Sequence, residues 1–429
     1  MVDRPLIVWD TDGEPPVGEG LVCVWNSYAV MDGAISVLRH VEENADQLRD
    51  RYLAWVDELG ESRVGRRRVV DHRAVRGTDF SVWWMSSIFE KNFLHSSTMS
   101  FVIRILALDA IVSERMPLEV EVVSDSAEVR AAVRRLCNRH GLSCLSRRAG
   151  QIGRWRSVRQ RLVRLVPRPV HAGLAMVRYV SSSRPALGRR PERWNDSEDA
   201  LFFVSCFGHL AADEAAAGRF YSRYWTGLYE VFQEAGISTN WLQYFVASVD
   251  TPDFGDAVDW LARIDANPED QGTHAFVNAY LTPIVVARVV LRWLCLLPSS
   301  FPLLVLARRS FGPSIHTVIW PLVRREWRDD LRGARSVNHL LWLGLFEAAC
   351  ADLPLQHRGV YLYEGQPWER AFVHAWRANG HGQLIGVPHA TVRFWDLRYY
   401  TDSRTRDRGG PCALPQPDLL VRNNVTAAA

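Results

Sequence analysis

Residues 118–145 read LEVEVVSDSAEVRAAVRRLCNRHGLSCL, and this stretch decides the fold class. Leu118–Val123 has the apolar, β-branched composition of a strand, and Ala127–His140 has the apolar spacing of a helix. Gly141 is suited to end that helix, and Ser143–Leu145 predicts another short strand. A strand, a helix and a second strand in this order predict two parallel strands joined by a crossover helix.

The same alternation of short apolar runs and helical spacing occurs along most of the chain, and it restarts at Ala200. We therefore predict an α/β protein with two Rossmann-like parallel-sheet domains, whose strand order the sequence leaves open. The other predicted strands are Leu21–Trp25, one starting at Val69-Val70, Leu201–Cys206, Trp241–Val246, Val360–Tyr363, Leu384–Val387 and Leu419–Val421.

The chain divides into three predicted parts. Residues 1–150 form the first α/β domain, residues 151–199 a basic amphipathic linker, and residues 200–429 the second α/β domain. A mostly helical insertion is expected at about 257–353. The chain stops soon after its last strand candidate, so we expect the second domain to be incomplete at its C-terminus.

Composition excludes several classes of protein. The chain has 429 residues, 48% of them hydrophobic and 23% charged, with a formal charge of +3. These values exclude a disordered chain, a collagen-like fibre and a small disulfide-rich scaffold. The seven cysteines are scattered without a C-x-x-C pair, and the N-terminus lacks the features of a signal peptide. Both observations predict a reduced, cytoplasmic protein.

The positive charge is unevenly distributed. Val129–Pro191 contains sixteen arginines and no acidic residue, and Ile152–Arg168 has the pattern of a basic amphipathic helix. Peripheral contact with an anionic membrane at the inner face of the cell is one interpretation, and a solvated linker helix is another. Nonspecific nucleic-acid binding is a third, but no base-reading element supports specific binding.

Residues 281–309, LTPIVVARVVLRWLCLLPSSFPLLVLARR, are strongly apolar. The charge-free run Trp293–Ala307 contains Pro298 and Pro302 and is shorter than a membrane-spanning helix requires. We expect a buried helical hairpin, with insertion into one face of a membrane as the alternative.

Common catalytic signatures are missing from the sequence. It contains no G-x-G-x-x-G, Walker or G-x-S-x-G motif, which weakens the case for a dehydrogenase, a P-loop NTPase and an α/β-hydrolase. His374, His381 and His389 have no cysteine or carboxylate at ligand spacing, so we predict no metal site.

Polar residues instead follow two successive strand candidates. Glu364 comes directly after one and His389 after the next, so both should lie at the edge of the sheet where ligands bind. Glu364 and His389 are candidates for a base and its orienting partner, and Arg393 and Arg398 for phosphate ligands. The alternative is that Glu364 caps a helix, His389 lies in a turn and the arginines are on the surface. His209 also follows a strand, where it either binds substrate or belongs to a turn.

Several segments of the chain resemble a known group of proteins. These are Tyr52–Gly60 (YLAWVDELG), Phe80–Lys91 (FSVWWMSSIFEK), Gly218–Gln233 (GRFYSRYWTGLYEVFQ), Asn240–Leu242 (NWL), Tyr361–Glu369 (YLYEGQPWE) and Gly380–Tyr399 (GHGQLIGVPHATVRFWDLRY). Together they resemble bacterial surface carbohydrate biosynthesis proteins, a family of glycosyltransferases with a GT-B-like fold. The resemblance extends from about residue 25 to 421.

The resemblance implies roles for particular residues. His389 matches a histidine that acts as a base on the acceptor hydroxyl in related transferases. Residues of the glutamate motif and of the segment after His389 would bind substrate; besides Glu364 they are Gln366, Trp368, Glu369, Arg393 and Asp396. Such enzymes need no metal ion or cofactor, and their donor substrate is a nucleotide sugar.

The resemblance also implies partners. The chain would transfer a sugar from a nucleotide sugar to a glycan or a lipid-linked acceptor during surface polysaccharide assembly. The lobe that usually binds the donor would follow Pro417–Val421, so we expect either that the gene is truncated or that a partner chain supplies this lobe. The alternative is a catalytically incomplete relative that binds glycan or acts as a scaffold at the membrane surface.

Overall fold

The computed structural model describes residues 5–421 apart from a few short segments and one longer one. The segments left out are 17–19, 29–30, 95, 150–165, 250, 269, 271 and 310–313. Most of the predicted basic helix at 152–168 therefore lies outside the described residues.

The first domain is built on a parallel sheet of five strands. Its order is β3-β2-β1-β6-β7, so the chain builds one side of the sheet and then returns past β1 to build the other. A small antiparallel pair, β4 and β5, lies outside this sheet. The strands of the first domain are β1 Leu6–Asp10, β2 Leu21–Val24, β3 Ile35–Ser36, β4 Arg63–Val64, β5 Arg67–Arg68, β6 Glu119–Ser124 and β7 Ser143–Arg147.

The second domain is built on a parallel sheet of six strands. Its order is β10-β9-β8-β11-β12-β13, which is the strand order 3-2-1-4-5-6 of a doubly wound dinucleotide-binding fold. The predicted class, two Rossmann-like parallel-sheet domains, is thus confirmed. The strands are β8 Leu201–Cys206, β9 Thr239–Tyr244, β10 Gly272–Phe276, β11 Arg358–Leu362, β12 Gln383–Val387 and β13 Leu419–Leu420.

Helices cover both sheets. In the first domain they are α1 Val37–Glu43, α2 Ala45–Glu61, α3 Val69–His72, α4 Ser87–Glu90, α5 Thr98–Arg115 and α6 Ala127–His140. The remaining helices are α7 Arg168–Ser182, α8 Ala212–Ala216, α9 Leu228–Glu234, α10 Phe254–Asp265, α11 Pro283–Arg309, α12 Ile315–Arg332, α13 Ala334–Asp352, α14 Pro367–Ala378 and α15 Ser403–Arg406.

The two domains share one continuous hydrophobic core. Helix α12 of the second domain packs against α6 of the first, and Arg135 donates a hydrogen bond to the carbonyl oxygen of Thr317 (2.8 Å). The indole nitrogen of Trp84 donates to the carbonyl oxygen of Cys412 (3.0 Å), which fixes the C-terminal segment on the first domain. Trp83 and Trp84 are both buried in this core.

Several local predictions were wrong. Val69-Val70 begins the short helix α3 rather than a strand. The insertion expected at about 257–353 contains β10, which belongs to the sheet, so the uninterrupted helical part begins only at Pro283. Residues 283–309 form one continuous helix through Pro298 and Pro302 instead of a buried hairpin. By length and composition, Pro283–Leu304 is also apolar enough to cross a membrane, and only 22% of its most apolar window is buried.

Candidate functional site

The candidate site lies where the connections of the second sheet change direction. From β8 the chain adds β9 and β10 on one side, and it then crosses over to add β11, β12 and β13 on the other. Strands β8 and β11 are parallel neighbours, so Cys206 and Leu362 end at the same edge of the sheet. Ligands of open α/β sheets bind in the crevice at such a point.

The backbone of the loop after β11 is fixed by a glycine turn and by hydrogen bonds to the side chain of Glu369. Gly365 adopts a left-handed conformation (φ +69°), and a Cβ atom there would overlap the carbonyl oxygen of Arg398, so only glycine fits. The Glu369 carboxylate accepts hydrogen bonds from the backbone N–H groups of Glu364 (2.8 Å), Gly365 (3.2 Å) and Gln366 (2.8 Å). The loop therefore presents the Glu364 side chain from a fixed backbone.

Glu364 and His389, the two residues that the sequence suggested as partners, are in contact. Because β12 is the parallel neighbour of β11, the loop that follows β12 brings His389 to the same edge. The distance between His389 Nδ1 and Glu364 Oε1 is 3.2 Å, within ion-pair range but without hydrogen-bond alignment. The Gln366 side-chain amide donates to the other oxygen of Glu364 (3.3 Å). Glu364 and His389 therefore lie close together, as their positions after neighbouring strands predicted.

The imidazole of His209 lies near the pair formed by Glu364 and His389. Tyr224 lies between His209 and His389, with ring-centroid distances of 3.5 and 4.1 Å. Burial, together with the nearby His389 and Arg223, lowers the pKa of His209 to about 4. Burial also lowers the pKa of His389, an effect that the carboxylate of Glu364 opposes. Both imidazoles are therefore neutral at physiological pH, the form that can accept a proton.

A cavity of about 570 Å³ opens in front of this group. Glu364 and His209 lie on its wall, whereas His389 stands beside Glu364 and not on the wall. Other lining residues are Tyr244, Arg335, His339, Trp342, Gln366 and Trp368. Glu90 also lies on the wall, so the cavity combines aromatic faces, two carboxylates, two imidazoles and an arginine, which suits a ligand with both apolar and charged parts.

Two further cavities lead from this one toward the first sheet. One of about 520 Å³ shares Arg335 with the first cavity. The other, of about 400 Å³, shares Ser96 and Ser97 with that middle cavity and contains Asp10, at the end of β1. Asp10 accepts hydrogen bonds from the hydroxyl of Ser124 and from the amide of Asn26, both at 2.6 Å. The three cavities are therefore neighbours, from the crevice of the second sheet to the end of β1.

The other residues of the predicted site occupy different environments. Trp368 lines the cavity, with its ring centroid 4.8 Å from that of Tyr244. Glu369 is fully buried behind the loop, so its carboxylate supports backbone N–H groups and does not face the cavity. Asp396 is buried and bonded through both oxygens to Arg398 (2.7 Å each), and Arg393 is exposed.

Two residues of the site, Tyr224 and Arg335, were not predicted from the sequence. Tyr224 lies in a turn, and its ring contacts the imidazoles of His209 and His389. Arg335 was not identified because it lies at the start of α13, about thirty residues before the glutamate motif. It donates to the hydroxyl of Ser87 and lies 3.9 Å from Asp329. No local motif marks either residue, since only the fold brings them to the cavity.

In the part of the chain that the structure describes, no group of three or more His, Cys, Asp or Glu side chains is arranged to hold a metal ion. Comparison of the chain with protein-family models, with curated proteins and with solved structures found no match. The resemblance to surface carbohydrate biosynthesis proteins therefore stays a prediction, and function has to be argued from the site.

Proposed function

We propose that the chain is a glycosyltransferase that moves a sugar from a nucleotide sugar to a hydroxyl group of a glycan or lipid-linked acceptor. The observation that carries this proposal is the contact of His389 with Glu364, which lines the cavity at the switch point of the second sheet. A switch point of this strand order is where nucleotides bind in doubly wound folds. A carboxylate paired with a neutral imidazole is suited to take a proton from a hydroxyl group.

In the proposed reaction, the oxygen of the acceptor hydroxyl forms a bond to the anomeric carbon of the donor sugar. The bond from that carbon to the phosphate oxygen breaks, and the nucleoside diphosphate leaves with the electron pair. Glu364 takes the hydroxyl proton because its side chain faces the cavity. His389, which contacts Glu364 but does not line the cavity, stabilises this proton or receives it from Glu364. Gln366 and the buried Glu369 are positioning residues that hold Glu364.

The walls of the cavity support the binding of such a donor. The rings of Tyr244, Trp342 and Trp368 offer surfaces on which a base or a sugar can stack. Arg335 is the arginine on this wall, and a guanidinium pairs well with a diphosphate. The exposed Arg393, at the end of the neighbouring loop, is the second candidate for that role. In this proposal the donor binds to the second sheet, and a partner chain with a donor lobe is not required.

A second candidate function is glycan binding without catalysis. The observation that favours it is that His389 is packed against Tyr224 and does not reach the cavity wall. A glycan-binding protein would use the same aromatic wall but would not release a nucleoside diphosphate. The two candidates therefore differ in whether a nucleotide sugar binds and turns over.

The proposal can be tested by saturation-transfer NMR with UDP-glucose, UDP-N-acetylglucosamine, GDP-mannose and dTDP-glucose as probes. Ala247→Trp places a large side chain on the cavity wall at an exposed position, so the fold should be kept. Ala266→Trp, at the exposed end of α10, is the matched control. We expect at least one probe to bind to the wild type and the control but not to Ala247→Trp. Silence from every probe, or equal binding to all three proteins, would refute the proposal.

A further inference from the structure

Helix α11 carries an exposed apolar stripe along its length. We define the α11 stripe as Ile284, Leu291, Leu294, Cys295 and Phe301, which recur at helical spacing on one side. The exposed fraction is 71% for Ile284, 62% for Leu291 and 61% for Phe301. At about 1.5 Å per residue the stripe is about 25 Å long. Apolar side chains in such a row mark an interaction surface.

The opposite face of α11 is part of the protein core. Val285, Val289, Leu296 and Leu303 are buried, and α11 packs against α13 and α12. Arg292 forms two hydrogen bonds to the carboxylate of Glu347 on α13 (2.6 and 2.9 Å). The helix is therefore fixed on the domain along one side, so that a membrane would meet only the stripe, with the helix axis lying along the membrane surface.

The charges around the stripe indicate what covers it. From residue 271 to residue 325 the sequence contains six arginines and no aspartate or glutamate. Arg288 lies one turn from Ile284 and is about half exposed, and the guanidinium of Arg332 lies 3.8 Å from the ring centroid of Phe301. The nearby carboxylate of Glu347 lies 3.8 Å from Arg288, but it is 14% exposed and is already paired with Arg292. A second copy of the chain would therefore bring like charges together. An anionic lipid surface offers both hydrocarbon for the stripe and phosphate for the arginines.

We propose that the α11 stripe docks the protein on the surface of an anionic membrane, with Ile284, Leu291, Leu294 and Phe301 inserted among the lipids and Arg288 and Arg332 at the level of the headgroups. This inference does not depend on the proposed transferase activity. It places the chain where a lipid-linked substrate would be found. It develops the alternative that the sequence left open for residues 281–309, and it does not use the basic segment before α7.

Vesicle flotation tests this directly. The probes are vesicles of phosphatidylcholine alone and of phosphatidylcholine with 30% phosphatidylglycerol. The triple variant Ile284→Glu, Leu291→Glu and Leu294→Glu replaces three exposed residues of the stripe, and Leu118→Glu with Val249→Glu replaces exposed apolar residues elsewhere. We expect the wild type and the control to bind anionic vesicles, and the triple variant to bind at least about tenfold more weakly. Absence of wild-type binding, or binding that the triple variant retains, would overturn the proposal.

Cys295 provides a second readout because it is the exposed cysteine of the described chain and lies within the stripe. A polarity-sensitive fluorophore on Cys295 should shift to shorter wavelength when anionic vesicles are added. The same fluorophore on Val249→Cys in a Cys295→Ser background should not shift, since Val249 is fully exposed on a loop. A wild-type dimer in light scattering that the triple variant converts to a monomer would show that a second copy covers the stripe, and it would overturn the membrane proposal.

Discussion

Replacing His339 with glutamine should remove part of the sensitivity of the fold to acid. His339 lies in α13 on the cavity wall, and burial lowers its pKa from 6.5 to about 3, with Arg335 and Arg73 adding to the effect. The folded protein then binds fewer protons than the unfolded chain between these two values, so stability is lost as the pH falls below 6.5. Between pH 7 and pH 5 this single group costs about 2 kcal/mol of unfolding free energy.

The assay is urea unfolding followed by tryptophan fluorescence at pH 7 and pH 5, for which seventeen tryptophans give ample signal. Whatever His339→Gln does at pH 7, its loss of stability on going to pH 5 should be about 2 kcal/mol smaller than that of the wild type. His357→Gln alters an exposed histidine and should behave as the wild type does. An equal loss in wild type and His339→Gln would refute the reasoning that His339 is buried as a neutral group.

Two further predictions concern the loop after β11. Glu364→Gln should lower the pKa of His389, because the carboxylate 3.2 Å away favours the protonated ring, and ¹³C-histidine NMR titration would measure this; an unchanged pKa would contradict the contact. Gly365→Ala should lower the unfolding free energy by about 3 kcal/mol or more, because alanine is strained in the left-handed conformation and its Cβ atom would overlap Arg398. Gly77→Ala shares the positive φ but has open space around it, so it should cost only about 1–2 kcal/mol in the same urea assay; equal losses would refute the overlap.

The sequence was sufficient to predict two parallel-sheet domains and the proximity of Glu364 and His389, although β1 and β3 of the first sheet were not predicted. Short apolar runs separated by helical spacing predicted most strands of the second domain, because strands buried on both faces need continuous apolar side chains. Glu364 and His389 were predicted to meet because each follows a strand, and parallel neighbours end at the same edge. That inference required no knowledge of the strand order beyond the adjacency of β11 and β12.

Other features depend on tertiary contacts that the sequence does not encode locally. The sequence of strand β10, GTHAF, is short and polar at its start, so its pattern does not indicate a strand. Only its pairing with β9 defines it. Glu369 belongs to the same motif as Glu364, yet burial of its carboxylate directs it to the backbone. Helix α11 has apolar side chains on more than one face, and the sequence does not indicate which face is buried. The exposed stripe is therefore visible only in the folded chain.

In the proposed reaction, Glu364 is held against His389 at the switch point of the second sheet and moves the proton during sugar transfer. The most direct measurement is release of nucleoside diphosphate from the probe that binds, compared between the wild type and Glu364→Gln, with binding of that probe measured on both proteins. We predict that Glu364→Gln binds the probe within a few fold of the wild type and releases nucleoside diphosphate about 10²–10⁴ times more slowly. Equal rates of release from the two proteins would contradict the claim.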